Sequence, residues 1–127
     1  ATAETIAMIR ELGIAGDRFV FHCFTGSAEE LDAILDLGAM VSFTGIITFK
    51  NAADLAEASD RVPMDRLMVE TDSPYLTPAP HRKVRTNEPK YVVHVAEFIA
   101  QRRGLTLENF SAVTDANAVR FFQLDGR

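Results

Sequence analysis

Cysteine, basic residues and long apolar runs are all scarce in this sequence. Cys23 is the only cysteine. A single cysteine excludes a disulfide within the chain and favours a reducing compartment, so we expect a cytoplasmic protein. No run approaches the roughly 18 apolar residues of a membrane-spanning helix, and the sequence therefore predicts no membrane partner.

Positive charge is in deficit as well. The chain has 13 Lys and Arg residues against 18 Asp and Glu residues, which gives a formal net charge of -5. Proteins that bind a polyanion without regard to sequence neutralise its phosphates with Lys and Arg, so the bulk charge argues against that class. An enzyme that holds one or two phosphates locally remains compatible with this composition.

Helical and strand patterns alternate along the chain, which has the length of one domain, 1–127. Apolar runs predict strands at 19–24, 39–43 and 66–70, the first of them buried on both faces. Helical spacing and capping signals predict helices at 2–12, 27–38, 51–58, 91–104, 106–112 and 115–123. Strands that alternate with helices pair in parallel. Three strands are few for a complete sheet of this kind, which indicates part of something larger.

Two residues with metal-binding chemistry lie at the predicted strand ends. His22 is near the end of the first strand, and Asp72 comes just after the third. In parallel α/β proteins, catalytic groups collect at the carboxyl ends of the strands. Imidazole with carboxylate suits Zn, Mn or Fe, whereas carboxylate with water suits Mg. The alternatives are a histidine satisfied within the core and an aspartate that forms the turn before Ser73 and Pro74.

A proline-rich loop of about 14 residues follows this aspartate, a length that usually indicates a functional or disordered segment. It carries Arg82, Lys83 and Arg85. These side chains could contact phosphate, for which arginine is the better bidentate partner. The alternative is a solvated charged loop, which is the interpretation we favour for Lys83 and Arg85.

Five other residues have side chains that could take part in chemistry. Glu70 could pair with a basic neighbour or support a metal ligand from behind. We interpret Lys50 as a surface lysine and Cys23 as a small buried hydrophobic residue. His81 and His94 are expected to be exposed, with His94 facing outward from its helix.

Five segments of the chain form a distinctive set of motifs. They are FHCFTGS at 21–27, GIITFK at 45–50, LMVETDSPYL at 67–76, PHRKVRTNEP at 80–89 and NAVRFF at 117–122. In this order, they resemble motifs of the TatD family of metal-dependent deoxyribonucleases. Each match alone is weak, but the set covers nearly the whole chain. On these segments the chain is identified as a member of that family.

The resemblance implies an α/β fold, the C-terminal portion of a TIM-type (β/α)8 barrel with flanking helices. The three strands would correspond to its sixth, seventh and eighth strands. His22 would ligate metal, and Asp72 would both ligate metal and activate water as the catalytic residue. Arg82 and Asn87 fall in the loop that borders the substrate. Two divalent ions (Mg, Mn or Zn are not distinguished) would promote hydrolysis of phosphodiester bonds, mainly in DNA.

The sequence departs from the family pattern in two places. Lys83 stands where the family usually has glycine, and the stretch 82–87 is one residue longer than the common form. The family's His-x-His pair, a bridging Glu and a further His precede the matched region, so we expect the N-terminal half of the barrel to be absent from 1–127. The isolated chain is therefore expected to bind metal weakly, to have little nuclease activity and to be able to self-associate through open sheet edges.

Two alternatives to a deoxyribonuclease remain open. One is a related hydrolase that acts on another phosphoester or on an amide. The other is a non-catalytic half-barrel that serves as a structural or interaction module. A panel of substrates tested with different metal ions distinguishes the first alternative from a deoxyribonuclease, because turnover of a small ester without cleavage of DNA would favour it. A stable metal-free oligomer would favour the second alternative.

Overall fold

Three short parallel strands form the centre of the computed structural model, which describes residues 1–124. Strand β1 is Val20–Phe21, β2 is Met40–Phe43 and β3 is Leu67–Val69, and they lie in the order β1-β2-β3. Phe21 pairs with Val41, which pairs in turn with Leu67. The predicted parallel pairing is therefore confirmed, and all three strands end at the same edge of the sheet.

Within residues 1–124, five α-helices accompany this sheet. They are α1 Thr2–Glu11, α2 Ala28–Leu37, α3 Ala53–Arg61, α4 Val92–Arg102 and α5 Leu107–Phe122. The bounds of α2 follow from local chemistry, because Ser27 and Glu30 form a capping box and Gly38 ends the helix in the left-handed conformation, with φ 87°. Both of these signals were predicted from the sequence and are confirmed.

The prediction of two short helices at 106–112 and 115–123 is wrong. The structure has one continuous helix, α5, across both segments. No glycine or proline interrupts positions 107–122, so nothing local ends the helix. Thr114 lies mid-helix and donates its hydroxyl to the Phe110 carbonyl oxygen (3.1 Å), a bond that leaves the helix intact.

The core lies between the helices and the face of the sheet that carries Val41, Phe43 and Leu67; this face and the helices packed on it are called the outer layer below. Every residue of β2 is buried, and the Phe43 side chain is completely inaccessible. Helices α2, α4 and α5 cover the strands with apolar side chains, among them Leu31, Ile99 and Phe110. Burial of this apolar surface supplies most of the driving force for folding.

The first strand departs from its prediction. It is two residues long rather than six, and both of its residues are partly exposed instead of buried on two faces. The reason is that β1 has a strand neighbour on one side only within residues 1–124. The outer side of β3 is open in the same way, and self-association through these two edges stays a prediction.

A polar contact fastens α5 to the sheet. The Asn117 side chain is 1% exposed and donates from Nδ2 to the carbonyl oxygens of Met64 (2.7 Å) and Leu67 (2.8 Å). These bonds fix the start of β3 against the helix. Across residues 1–124, none of the helices has both the length and the apolar character that a bilayer crossing requires.

Candidate metal centre

His22 and Glu70 come together at the carboxyl edge of the sheet. His22 follows β1 directly and Glu70 follows β3 directly. The Oε1 atom of Glu70 lies 3.6 Å from Nδ1 of His22, and it also accepts the backbone N–H of Cys23 at 2.7 Å. One carboxylate therefore links the ends of two strands that are not neighbours in the sheet.

The backbone at Cys23 is held in an unusual conformation. Its φ is 48°, in the left-handed region, which costs a residue other than glycine about 1–3 kcal/mol. The hydrogen bond to Glu70 stabilises this conformation. The Cys23 sulfur also lies 3.6 Å from Oγ1 of Thr44, which follows β2. All three strand ends thus meet around Cys23, whose contacts go beyond those of a small buried hydrophobic residue.

Asp72 lies beside this cluster. Burial raises the pKa of the Cys23 thiol; the Thr44 hydrogen bond lowers it, and the nearby carboxylates of Asp72 and Glu70 raise it further. Asp72 also begins a turn, but its backbone carbonyl accepts the Tyr75 N–H (2.7 Å). The turn therefore does not depend on the Asp72 carboxylate, which can serve another purpose.

The exposure of His22 decides between two interpretations of this residue. Its side chain is 70% exposed, whereas that of Glu70 is 28% exposed. A histidine satisfied within the core would be buried, so that alternative is wrong. The imidazole instead projects from the strand edge, with Oε1 of Glu70 at an ion-pair distance of 3.6 Å from Nδ1, longer than a hydrogen bond.

The donor set fits a metal only in part. An imidazole nitrogen with a carboxylate oxygen is a donor pair that suits Zn, Mn or Fe. Within residues 1–124, however, no group of three or more His, Cys, Asp and Glu side chains is arranged to hold an ion. His22 and Asp72 therefore supply fewer ligands than the three that catalytic zinc usually takes from protein.

Arg82 and Asn87 lie in the long loop after β3 but differ in exposure. The exposed Arg82 stacks on Phe49, with Cζ 3.4 Å from the ring centroid. Asn87 is 3% exposed; it donates from Nδ2 to the Tyr75 carbonyl oxygen (2.6 Å) and from its backbone N–H to that of Pro74 (2.9 Å). Asn87 thus holds the loop closed, and a direct contact between it and substrate stays a prediction.

The expectation of exposed histidines at positions 81 and 94 is wrong. Both are half-buried and their ring centroids lie 4.8 Å apart. His81 also stacks on Tyr91 at 4.6 Å, and Nδ1 of His94 lies 2.9 Å from Oε2 of Glu97. The two rings pack the loop against α4, a contact that helical spacing around His94 does not reveal.

Sequence reasoning offered Glu70 two alternative roles, but it missed Thr44 and the contacts of Cys23 that shape the centre. The bond between Cys23 and Glu70 joins residues 47 positions apart, and the contact between Cys23 and Thr44 spans 21 positions. One signal was available, because Glu70 is a charged residue placed directly after an apolar strand. Its partner could not be chosen without the fold.

Comparison with known proteins identifies the family. The model described as "TatD related DNase" matches residues 1–123. The uncharacterized metal-dependent hydrolase YcfH of Escherichia coli K12 is 46% identical over 125 residues, which cover 98% of this chain and 47% of YcfH. A protein of Pectobacterium parmentieri WPP163 named 3'-5' ssDNA/RNA exonuclease TatD is 41% identical over 109 residues, 83% of this chain and 42% of that protein.

Solved structures agree on the fold. A TatD-family hydrolase from Entamoeba histolytica superposes with a TM-score of 0.81 at 24% identity, over 94% of this chain and 46% of that one. The TatD homolog YjjV of Escherichia coli K12 gives 0.83 at 19% identity with the same coverage. These likenesses confirm the predicted α/β fold class, a portion of a TIM-type (β/α)8 barrel.

The matches include nearly all of this chain but only part of each relative. The chain spans about half the length of the curated relatives it matches. The family model matches nearly all of it, and the two relatives named above exceed 40% identity over most of its length. The chain belongs to the TatD-related DNase family.

Proposed function

We propose that this chain forms part of a metal-dependent hydrolase that cleaves phosphodiester bonds in DNA. The observation that carries the proposal is the contact of Glu70 with both His22 and the backbone N–H of Cys23 at the carboxyl edge of the sheet, where the segment with Asp72 also leaves β3. A relative named as an ssDNA/RNA exonuclease supports a nucleic-acid substrate. The cytoplasm is the compartment we propose for it, on the strength of its single cysteine.

In this proposal His22 and Asp72 are ligands of a centre that holds two divalent ions. Mg, Mn and Zn are equally compatible with it. Ions bound there would polarise a phosphodiester and make a water molecule more acidic. The Glu70 carboxylate, 3.6 Å from Nδ1 of His22, would orient the imidazole and favour donation from its other nitrogen. The ligands that complete the centre come from outside this chain.

Asp72 has a second role, as the base that takes a proton from the attacking water. The position of Asp72 shortly after β3, close to the half-buried Cys23 thiol, supports this role, in which its carboxylate would accept a proton from water held beside it. Arg82 is exposed and stacked on Phe49, so its guanidinium can bind a phosphate oxygen. Asn87 keeps the loop that carries Arg82 closed.

A chimera tests the proposal. This chain would replace the matching 47% of YcfH, and hydrolysis of single-stranded DNA would be followed with Mg²⁺, Mn²⁺ or Zn²⁺ and with EDTA. We expect EDTA-sensitive hydrolysis that falls about a hundredfold or more in Asp72→Asn, the size of a lost general base. Asp36→Asn, an exposed aspartate on α2, should leave the rate unchanged.

Two results would contradict the proposal. The first is a folded chimera that leaves DNA intact but hydrolyses a small phosphoester or an amide, which would favour the related-hydrolase alternative. The second is EDTA-sensitive DNA hydrolysis by the isolated 127-residue chain, because two ligands should hold metal weakly and give little or no activity.

A further inference from the structure

A groove with positive charge lies beside the long loop after β3, apart from the candidate metal centre. It has a volume of about 380 Å³. Its lining residues come from two segments, and they are Thr48, Phe49, Lys50, Asn51, Ala79 and Arg82. Among residues 1–124, the lining includes two cationic side chains and no carboxylate, although the formal net charge of the chain is -5. This local reversal of charge marks a place where an anion can bind.

The walls of the groove are fixed to each other. Oγ1 of Thr48 accepts the Ala79 N–H at 2.8 Å and donates to the Gly45 carbonyl oxygen at 2.7 Å. The two segments also approach closely at Gly45, where a Cβ atom would lie 2.1 Å from the Leu76 carbonyl oxygen. The groove is therefore a preformed feature of the fold, which lowers the entropic cost of binding a ligand.

Arg82 is presented to the groove in a fixed orientation. Its guanidinium lies over the Phe49 ring, 3.4 Å from the centroid, and Nη1 donates to the Thr77 carbonyl oxygen at 3.2 Å. A guanidinium has five N–H groups, so this bond uses one of them. A planar, stacked guanidinium is well suited to phosphate recognition, and the exposed Lys50 adds a second charge from the opposite segment.

The groove lies at the same edge of the sheet as the candidate metal centre. Its first segment follows β2 through a 3₁₀ turn at Gly45–Thr48, and its second belongs to the loop after β3. Both segments therefore leave the sheet where His22 and Asp72 lie. A polynucleotide with one phosphate at the metal centre would extend past other residues at this edge.

We propose that this groove binds a backbone phosphate of single-stranded nucleic acid, other than the one that is hydrolysed, through Lys50 and Arg82. The proposal rests on the proposed function, because it assumes a polynucleotide substrate. It reverses the interpretation of Lys50 as an ordinary surface lysine. It also gives Arg82 a defined partner residue and a position within the substrate site.

Binding without metal tests this groove apart from catalysis. The 127-residue chain and the YcfH chimera would be titrated in EDTA with a short thymidine oligonucleotide, inorganic phosphate and thymidine, by calorimetry and by amide shifts in NMR spectra. We expect the oligonucleotide to bind most tightly and to shift the amides of Lys50, Asn51 and Arg82. Lys50→Ala should weaken binding about tenfold, the size of a lost charge-assisted hydrogen bond.

The salt dependence provides a second readout, with a matched control. For single strands, log K falls as log salt rises, and each lost phosphate contact makes this slope less steep by about 0.7. Lys50→Ala should show this smaller salt dependence, and Lys83→Ala should not. Lys83 is an exposed lysine on the same loop as Arg82 and does not line the groove. Arg82→Lys, which keeps the charge but loses the planar stack, should also weaken binding.

Three outcomes would overturn the assignment. One is an equal loss of affinity in Lys50→Ala and Lys83→Ala, which would indicate diffuse charge. Another is inorganic phosphate that binds as tightly as the oligonucleotide, which would indicate a small-anion site. The third is amide shifts confined to other parts of the chain. If the chimera did not hydrolyse DNA but the oligonucleotide still bound in EDTA, the result would count against the proposed reaction. The assignment of the groove would still be supported.

Discussion

The packed outer layer and the carboxyl edge of the sheet differ in almost every physical respect. In the outer layer, β2 is buried along its whole length and Phe43 is completely inaccessible. At the edge, His22 is 70% exposed and Cys23 has a strained backbone. The difference shows that stability comes from one layer and the candidate chemistry from the other, as expected where a rigid scaffold positions functional residues.

The two regions are nevertheless joined by a few polar bonds. Glu70 follows the last residue of β3 and fixes the backbone after His22. Thr44 follows the last residue of β2 and contacts the Cys23 sulfur. The strands thus determine the geometry of the edge through these contacts. Substitutions in the outer layer should mainly change stability, and substitutions at the edge should mainly change metal binding.

The largest expected effect is on stability and comes from the outer layer. Phe43→Ala should lower the free energy of unfolding by about 3–5 kcal/mol, because it removes a buried ring and leaves a cavity. His22→Ala should change it by less than about 0.5 kcal/mol, as is usual for an exposed side chain. Urea unfolding measures both, and a similar loss in the two variants would contradict the division into layers.

A smaller effect is expected where a polar group reaches into the outer layer. Asn117→Ala leaves the carbonyl oxygens of Met64 and Leu67 without their donor and should cost about 1–3 kcal/mol. Asn109→Ala, at an exposed position on the same helix, is the matched control and should be nearly neutral. Equal unfolding midpoints for these two variants would show that the α5 contact adds no stability.

Features governed by short-range chemistry were predictable from the sequence. The capping box at Ser27 and the left-handed Gly38 gave the bounds of α2, and the apolar run at 39–43 gave the position of β2. Strand-end positions also singled out His22 and Asp72, and the resemblance of five segments then gave them roles. Those roles remain proposals, although the structure brings both residues to one edge of the sheet.

Features that depend on distant parts of the chain were not predictable in this way. The exposure of β1 depends on its having, in the part of the chain that the structure describes, a neighbouring strand on one side only. The packing of His81 against His94 depends on the path of the loop. Glu70 could be noticed as a charged residue after a strand, but its bond to Cys23 crosses 47 positions. Periodicity reports on the face of one element and contains no information about its partner.

At Glu70, the residue that links the two regions, we expect a small change in stability together with a change in metal affinity. Glu70→Gln keeps an oxygen that can accept the Cys23 N–H and removes the charge beside His22. The free energy of unfolding should therefore change by less than about 1 kcal/mol. The affinity of the YcfH chimera for Mn²⁺ or Zn²⁺, measured by calorimetry, should fall about tenfold, because a carboxylate behind a histidine ligand orients it and raises its basicity.

Two further variants separate the charge of Glu70 from its structural role. Glu70→Ala removes the acceptor as well as the charge, so it should destabilise the protein more than Glu70→Gln, since the left-handed Cys23 loses its hydrogen bond. Glu108→Gln, an exposed glutamate on α5, should leave both stability and metal affinity unchanged. If Glu70→Gln retained full metal affinity while Glu70→Ala lost it, Glu70 would act on the centre through the Cys23 backbone alone, and its charge would have no part in orienting His22.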